Sequence, residues 1–227
     1  MQQHHFYEAF GQMAAGLAHE VRNPLSLVRA NIDLLALSET AEDSRRRYLI
    51  MRREIDRATQ ALTELMQLAR PEPEEPLREL LSLHALLSAA IDTLRATYHA
   101  VSFTLESAAA DYTVMGDGDK LARVFGNVIK NAVEAVTEAH PSGGGRVGLA
   151  LSAKDGIVTV TVRDNGHGLS AIEEARAAEP FFTTKTEGNG LGLFVSRSIL
   201  ALHDGTLTLA NAEGGGCVAA VCLPLIK

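Results

Sequence analysis

Apolar residues near the start of the chain recur at spacings of three and four. Phe6, Phe10, Met13, Leu17, Val21, Pro24, Val28, Ile32 and Leu35 fall on one stripe of a 3.6-residue helix, which predicts a long helix over 6–35. A second series, Tyr48, Met51, Ile55, Ala58, Leu62, Leu65 and Ala69, alternates three and four and predicts a helix over 45–69 with a heptad seam. The polar break from Ser38 to Ser44 joins them as an antiparallel hairpin. One hairpin cannot bury both seams well, so the pattern predicts a homodimer in which two copies form a four-helix bundle. Pro71-Glu72-Pro73-Glu74-Glu75-Pro76 then ends the second helix as a stiff linker. The expected organisation is a helical hairpin at 1–70, a linker at 71–76 and a second domain at 77–227.

Beyond the linker the periodicity changes. Leu83 to Tyr98 reads as helix, and Val101 to Glu106 and Tyr112 to Met115 as strands. Asp117 or Asp119 can cap a helix running to about Glu138. Arg146–Ala153 and Ile157–Arg163 alternate like paired strands around an Asp155-Gly156 turn. An irregular, glycine-rich stretch from Asp164 to Asn189 precedes a helix over about 191–203. Strands over 205–210 and 216–223 close the chain. This mixture predicts an α+β fold whose second domain is a two-layer α/β sandwich.

Composition sharpens the division. Of the 19 glycines, five precede residue 140 and 14 follow it. Residues 1–70 are neutral, with nine basic and nine acidic side chains, so residues 71–227 supply the whole net charge of −7. An acidic chain without a basic run is a poor partner for nucleic acid or an anionic membrane. No apolar run approaches the roughly 20 residues of a membrane span, and no secretory signal opens the chain. Cys217 and Cys222 lie five apart in a strand-like run, on opposite faces, where they cannot bridge. They read as small buried hydrophobes in a reducing, cytoplasmic compartment.

Several residues could carry chemistry. On the 119–138 helix, Leu121, Val124, Phe125, Val128, Ile129, Ala132 and Val136 form an apolar face, and Asn127, Lys130, Asn131 and Glu134 cluster on another. Asn127 and Asn131 are surface neighbours at i and i+4. They are either a solvated face or amides directed at a hard cation and at phosphate oxygens. Asp164-Asn165-Gly166-His167-Gly168 follows a strand, and Gly188-Asn189-Gly190-Leu191-Gly192 opens a helix, where free amides and the helix dipole favour phosphate. Asp164 is either a turn residue or a buried carboxylate that accepts from an amino group. Pro180-Phe181-Phe182-Thr183-Thr184-Lys185 suits a flap over phosphates and equally a pinned surface loop. His19 faces away from the seam, beside Glu20, with Asn23 and Ser26 on its face and Pro24 interrupting the helix ladder. The remaining histidines show no zinc-ligand spacing.

Together these residues resemble the catalytic core of a two-component sensor histidine kinase, over almost the whole chain. His19-Glu20-Val21-Arg22-Asn23-Pro24-Leu25 is similar to the phosphoacceptor box, and Asn127 to Asn131 to the N box. Asp164 to Gly168 resembles the first glycine box, Pro180-Phe181-Phe182 the F box, and Gly188 to Gly192 the second glycine box. The asparagine form of the phosphoacceptor box, with Thr183-Thr184-Lys185, is similar to the nitrogen-regulation and sporulation type. The resemblance implies an ATP-binding domain of the histidine kinase, gyrase and chaperone type. It implies Mg²⁺ on Asn131, triphosphate contacts from Asn127 and Lys130, and adenine recognition by Asp164. Gly166 and Gly168 would belong to the nucleotide site, as would Gly188, Gly190, Leu191 and Gly192, whose amides would cradle phosphates. Thr184 and Lys185 would add phosphate contacts, and residues 167–189 would form the lid. His19 would take the γ-phosphoryl group, with Glu20 orienting its proton, and pass it to an aspartate on a response regulator receiver domain. Asn23 would orient water for a phosphatase reaction on that regulator.

Glu134 departs from the pattern, standing where many relatives carry a basic residue. No sensor segment precedes Phe6, so the expectation is the core of a longer or membrane-tethered sensor, beginning partway into the first helix. Two alternatives remain. An ATPase of the same fold would carry a glutamate base at the first N-box position, which is Asn127 here; an inactive dimeric scaffold would not need intact glycine boxes.

Overall fold

A computed structural model describes residues 21, 23–35, 40–69, 78–108, 111–177, 179–185 and 190–226. The chain divides into two compact units: residues 1–71 with 180–191, and residues 72–179 with 192–227. The linker expected at 71–76 and residues 6–20 of the helix expected over 6–35 lie outside the described residues.

In the first unit, residues 23–35 are helical (α1) and Ala41–Ala69 forms α2. Helix α2 starts four residues earlier than the apolar pattern suggests. The Thr40 hydroxyl accepts from the Asp43 amide at 3.1 Å and donates to the Asp43 carboxylate at 2.8 Å, a cap that hydrophobic spacing cannot reveal. The expected seam splits in two. Met51 and Ala58 are buried, but Tyr48 and Ile55 are 62% and 48% exposed. On α1, Pro24 and Asn31 are buried, whereas Leu25 and Ile32 are 52% and 54% exposed. Helical geometry puts each exposed pair some 60–120° round from the buried line. Each helix thus has an inner stripe and an apolar flank left open. The inner stripe is partly polar. Asn31 satisfies its amide on the Leu27 carbonyl at 2.8 Å, and Glu54 is buried beside Arg53 at 3.8 Å.

The second unit contains β1 (Glu79–Ser82), α3 (Leu83–Arg95), β2 (Val101–Ser107), β3 (Thr113–Gly116), α4 (Gly118–Ala139), β4 (Gly145–Lys154), β5 (Ile157–Asp164), α5 (Ala171–Arg176), α6 (Gly192–Leu202), β6 (Thr206–Asn211) and β7 (Cys217–Pro224). Five strands form one sheet in the order β2-β4-β5-β7-β6, and β1 pairs with β3 in a two-stranded ribbon. The β2–β4 pair is parallel and the others antiparallel. Val147, Leu149 and Leu151 of β4, Val158, Val160 and Val162 of β5, and Ala219, Val221 and Leu223 of β7 all point to one buried face. Helix α4 packs on β4 and β5 and against α3 and α6. Its whole apolar face is buried, including Phe125, Ile129 and Val133. The opposite face of the sheet carries residues such as Thr159, Thr161 and Arg163. This is the two-layer sandwich that the alternation predicts.

Two elements were not anticipated. Strand β1 is short and exposed, and earns its pairing only against β3. Helix α5, inside the stretch read as irregular, is held by a capping box in which Ser170 accepts from the Glu173 amide and Glu173 from the Ser170 amide. Of the two candidate caps for α4, Asp117 is the one used, accepting from the Lys120 amide at 3.1 Å. Asp155 and Gly156 take the left-handed conformation that the predicted hairpin turn requires.

Candidate nucleotide site

Asp164 ends β5 and points to the helix-covered face of the sheet, where it is 5% exposed. Its Oδ1 accepts two backbone hydrogen bonds, from Gly166 at 2.8 Å and Cys217 at 3.1 Å. Those bonds lock the carboxylate and leave Oδ2 without a donor among the described residues. A buried carboxylate with one oxygen in that state suits an incoming N–H group. The loop around it needs glycine. A Cβ on Gly216 would overlap the Asp164 carbonyl, and one on Gly166 would come within 3.0 Å of the Ala135 backbone of α4. Gly168 is left-handed, with φ of 75°, and its missing Cβ makes room for Asn211, whose amide clamps Leu169 through both its N–H and its carbonyl, at 2.7 and 2.9 Å.

Asn127 is half-buried on α4. Its amide donates to the Gly192 carbonyl at 3.2 Å and to the Ser196 hydroxyl at 3.4 Å. Ser196, fully buried, itself donates to Gly192 at 2.9 Å. Asn127 therefore ties α4 to the first turn of α6, a role the i, i+4 spacing did not suggest. One turn further along, Asn131 is half-buried. Lys130 forms a partly exposed ion pair with Glu134 at 3.7 Å. The departure at Glu134 thus places a carboxylate on the very lysine expected to meet phosphate.

Thr184, Lys185, Gly190 and Leu191 belong to the 180–191 segment that clusters with the first unit. The base of this segment is closed by the Phe181 amide donating to the Gly190 carbonyl at 3.1 Å. Phe181 and Gly190 are both left-handed, with φ of 63° and 66°, and the Thr183 hydroxyl accepts from the Lys185 amide at 3.1 Å. Asn23 is exposed on α1. His19, Glu20 and Gly188 lie outside the described residues.

Residues that sequence reasoning missed are Ser196, Asn211 and Cys217. Ser196 is one of two serines on α6, four residues after Gly192, which is a weak signal. Asn211 and Cys217 become relevant only when β6 and β7 are laid beside β5. The two cysteines are half-buried instead of buried.

Residues 11–74 match the His Kinase A (phospho-acceptor) domain family, and residues 116–227 match the family of histidine kinase-, DNA gyrase B- and HSP90-like ATPases. With the two domains in this order, the chain belongs to the sensor histidine kinases, as a catalytic core of that family. Sporulation kinase A of Bacillus subtilis is 33% identical over 217 residues, covering 94% of this chain and 34% of the relative. Sensor histidine kinase ZraS of Klebsiella oxytoca is 34% identical over 226 residues, covering 96% of this chain and 46% of the relative. The chain thus spans less than half the length of either. Among solved structures, the mycobacterial sensor histidine kinase MprB is 25% identical with a TM-score of 0.59, covering 66% of this chain and 98% of that one. Histidine kinase ThkA in complex with the response regulator protein TrrA has a TM-score of 0.80 at 22% identity, covering 98% of this chain and 64% of that one, a likeness of fold.

Proposed function

We propose that the chain binds ATP in the second domain, transfers its γ-phosphoryl group to His19, and passes that group to an aspartate of a response regulator receiver domain. The observation that carries this reading is the fixed Asp164 carboxylate, whose Oδ2 takes no donor among the described residues, in a chain that also carries a phospho-acceptor domain. In the transfer step, one imidazole nitrogen of His19 attacks the γ-phosphorus, the phosphorus–oxygen bond to ADP breaks, and ADP leaves. Glu20 holds the proton on the other ring nitrogen, keeping the attacking lone pair free. Phosphoryl transfer depends mainly on positioning and charge neutralisation, so the amides around Gly190, Leu191 and Gly192, with Thr184, Lys185 and Lys130, serve to hold the triphosphate.

Mg²⁺ fits this donor set through Asn131. Among the described residues there is no cluster of three or more acidic, histidine or cysteine side chains able to hold a metal. A hard amide oxygen suits an ion that keeps most of its shell as water and phosphate oxygens. When bound, Mg²⁺ supplies charge neutralisation at the phosphates.

The boundary at 71–76, the homodimer and a cytoplasmic setting belong to the same reading. The exposed apolar flanks of α1 and α2 support dimerisation, since a second copy would cover them. No helix among the described residues is long and apolar enough to cross a membrane. Asn23, exposed one helical turn from His19 in sequence, would orient water for dephosphorylation of the regulator. The experiment is incubation with γ-labelled ATP and Mg²⁺. The expected product is an acid-labile, alkali-stable phosphoprotein that His19→Gln abolishes. Phosphate release without label would indicate an ATPase, and neither product a scaffold.

A further inference from the structure

His203 is a buried histidine that the nucleotide chemistry leaves unused. It follows the last residue of α6, is 6% exposed and has both ring nitrogens engaged. Nδ1 lies 2.8 Å from the Ile199 carbonyl oxygen, and Nε2 lies 3.0 Å from the Asp117 amide nitrogen. A carbonyl can only accept and a backbone N–H can only donate. Nδ1 therefore carries the proton, and Nε2 offers its lone pair to Asp117. Gly116 makes room for this bond: a Cβ there would stand 2.8 Å from Cδ2 of the ring. Asp117 is itself the N-cap of α4. The imidazole thus joins the end of α6 to the start of α4.

The same two helices are joined at a second place. Near the start of α6, the Gly192 carbonyl and the Ser196 hydroxyl accept from the Asn127 amide. The helices pack on one another, and the ties 117 to 203 and 127 to 192 make them antiparallel. Between the ties lie residues 117–127 on one helix and 192–203 on the other, about 15 and 16 Å of helix. The buried Val195, Ile199 and Leu200 hold α6 to the core, but apolar contact is non-directional. Directed bonds at both ends fix the axial position of the helix. We propose that His203 is a positioning residue for phosphoryl transfer: by holding the far end of α6, it sets where the first-turn amides of that helix stand relative to Asn127 and Asn131 on α4. This deepens, and rests on, the reading of those amides as part of the triphosphate cradle. First-turn N–H groups have no partner within a helix, and a misplacement of about 1 Å at such contacts can cost on the order of a hundredfold.

The test compares His203→Gln with His203→Asn in the full chain. Glutamine reaches as far as Nε2 and offers a carbonyl oxygen to the Asp117 amide; asparagine reaches only as far as Nδ1. Both are smaller than histidine, so a packing role alone would make them alike. Calorimetry reads the Kd for ATP. Hydrogen exchange without nucleotide, followed by mass spectrometry, reads the amides at 192–196, at the opposite end of α6. His203→Gln should stay within about threefold of the parent Kd, with parent exchange. His203→Asn should raise the Kd about tenfold and speed exchange at 192–196 at least about tenfold, with cooperative unfolding retained. Gly116→Ala keeps His203 but presses a methyl against its ring, and should match His203→Asn, which covers the case in which the asparagine variant does not fold. A Kd for His203→Asn within about threefold of the parent, equal behaviour of the two His203 variants, or a folded Gly116→Ala indistinguishable from the parent would each overturn the proposal. Failure of ATP to bind the parent would instead overturn the reading of the site, and the proposal with it.

Discussion

Asp164→Asn separates a structural carboxylate from a ligand-binding one. In the parent, Oδ1 holds the Gly166 and Cys217 amides at 2.8 and 3.1 Å and Oδ2 is open. The amide side chain can keep both bonds only by placing its oxygen at Oδ1, which puts an NH₂ group where Oδ2 stood. An adenine amino group would then meet a donor. A hydrogen bond to a charged acceptor contributes about 1.5–3 kcal/mol, which converts to roughly a 10- to 150-fold rise in the Kd for ATP. The fold should pay little, because the two amide bonds persist and a buried charge is removed. A net cost near 1 kcal/mol would lower the melting temperature by about 2–4 °C. Inosine triphosphate, with a carbonyl oxygen in place of the amino group, should lose less or gain, so the preference for ATP shrinks. Calorimetric titration with both nucleotides, paired with thermal unfolding, reads all three effects. An ATP affinity within about threefold of the parent, below 1 kcal/mol, in a folded variant would refute the argument that Oδ2 meets the base.

Four further outcomes are expected. Phe125 is completely buried beneath α4, so Phe125→Ala should cost about 3–5 kcal/mol and lower the melting temperature by roughly 6–20 °C, measured by calorimetry. Asn23→Ala should spare autophosphorylation and abolish dephosphorylation of the regulator, followed with purified phosphoregulator; loss of both reactions would remove the residue from its water-orienting role. The rate of maleimide addition to Cys217 should keep climbing about tenfold per pH unit toward about 11, where an ordinary thiol levels off near 9.0. Because folding raises this pKa, the native state holds the proton more tightly. The stability it lends is intact below pH 9 and is lost as pH rises toward 11, which denaturant titration across that window would register.

Much of the architecture was legible because burial follows periodicity. The alternation in 146–153 and 157–163 marked β4 and β5 almost to the residue, and the 3.6-residue pattern of Leu121 to Val136 marked α4 and its buried face. Misreadings arose where local hydrogen bonds outweigh hydrophobic spacing. The Thr40 cap moved the start of α2, and the Ser170–Glu173 box made a helix in a stretch with no apolar rhythm. Strand β1 was missed because an exposed four-residue segment has no pattern until β3 lies beside it.

The sequence by itself determined which residues could form a nucleotide site: a carboxylate at a strand end, glycines around it, and asparagines one turn apart on a helix. It also determined that each helix of the hairpin carries more apolar surface than one partner helix can cover. Only the tertiary structure decided how these groups are used. Asn127 directs its amide to Gly192 and Ser196 because contacts between residues 65 or more apart depend on packing and not on order along the chain. It likewise split the seam of α2, burying Met51 and Ala58 while leaving Tyr48 and Ile55 outward. Most plainly, Asp164 and Cys217 are neighbours because β7 returns antiparallel to β5 in one register, and a shift of a single residue would have turned the thiol to the far face of the sheet.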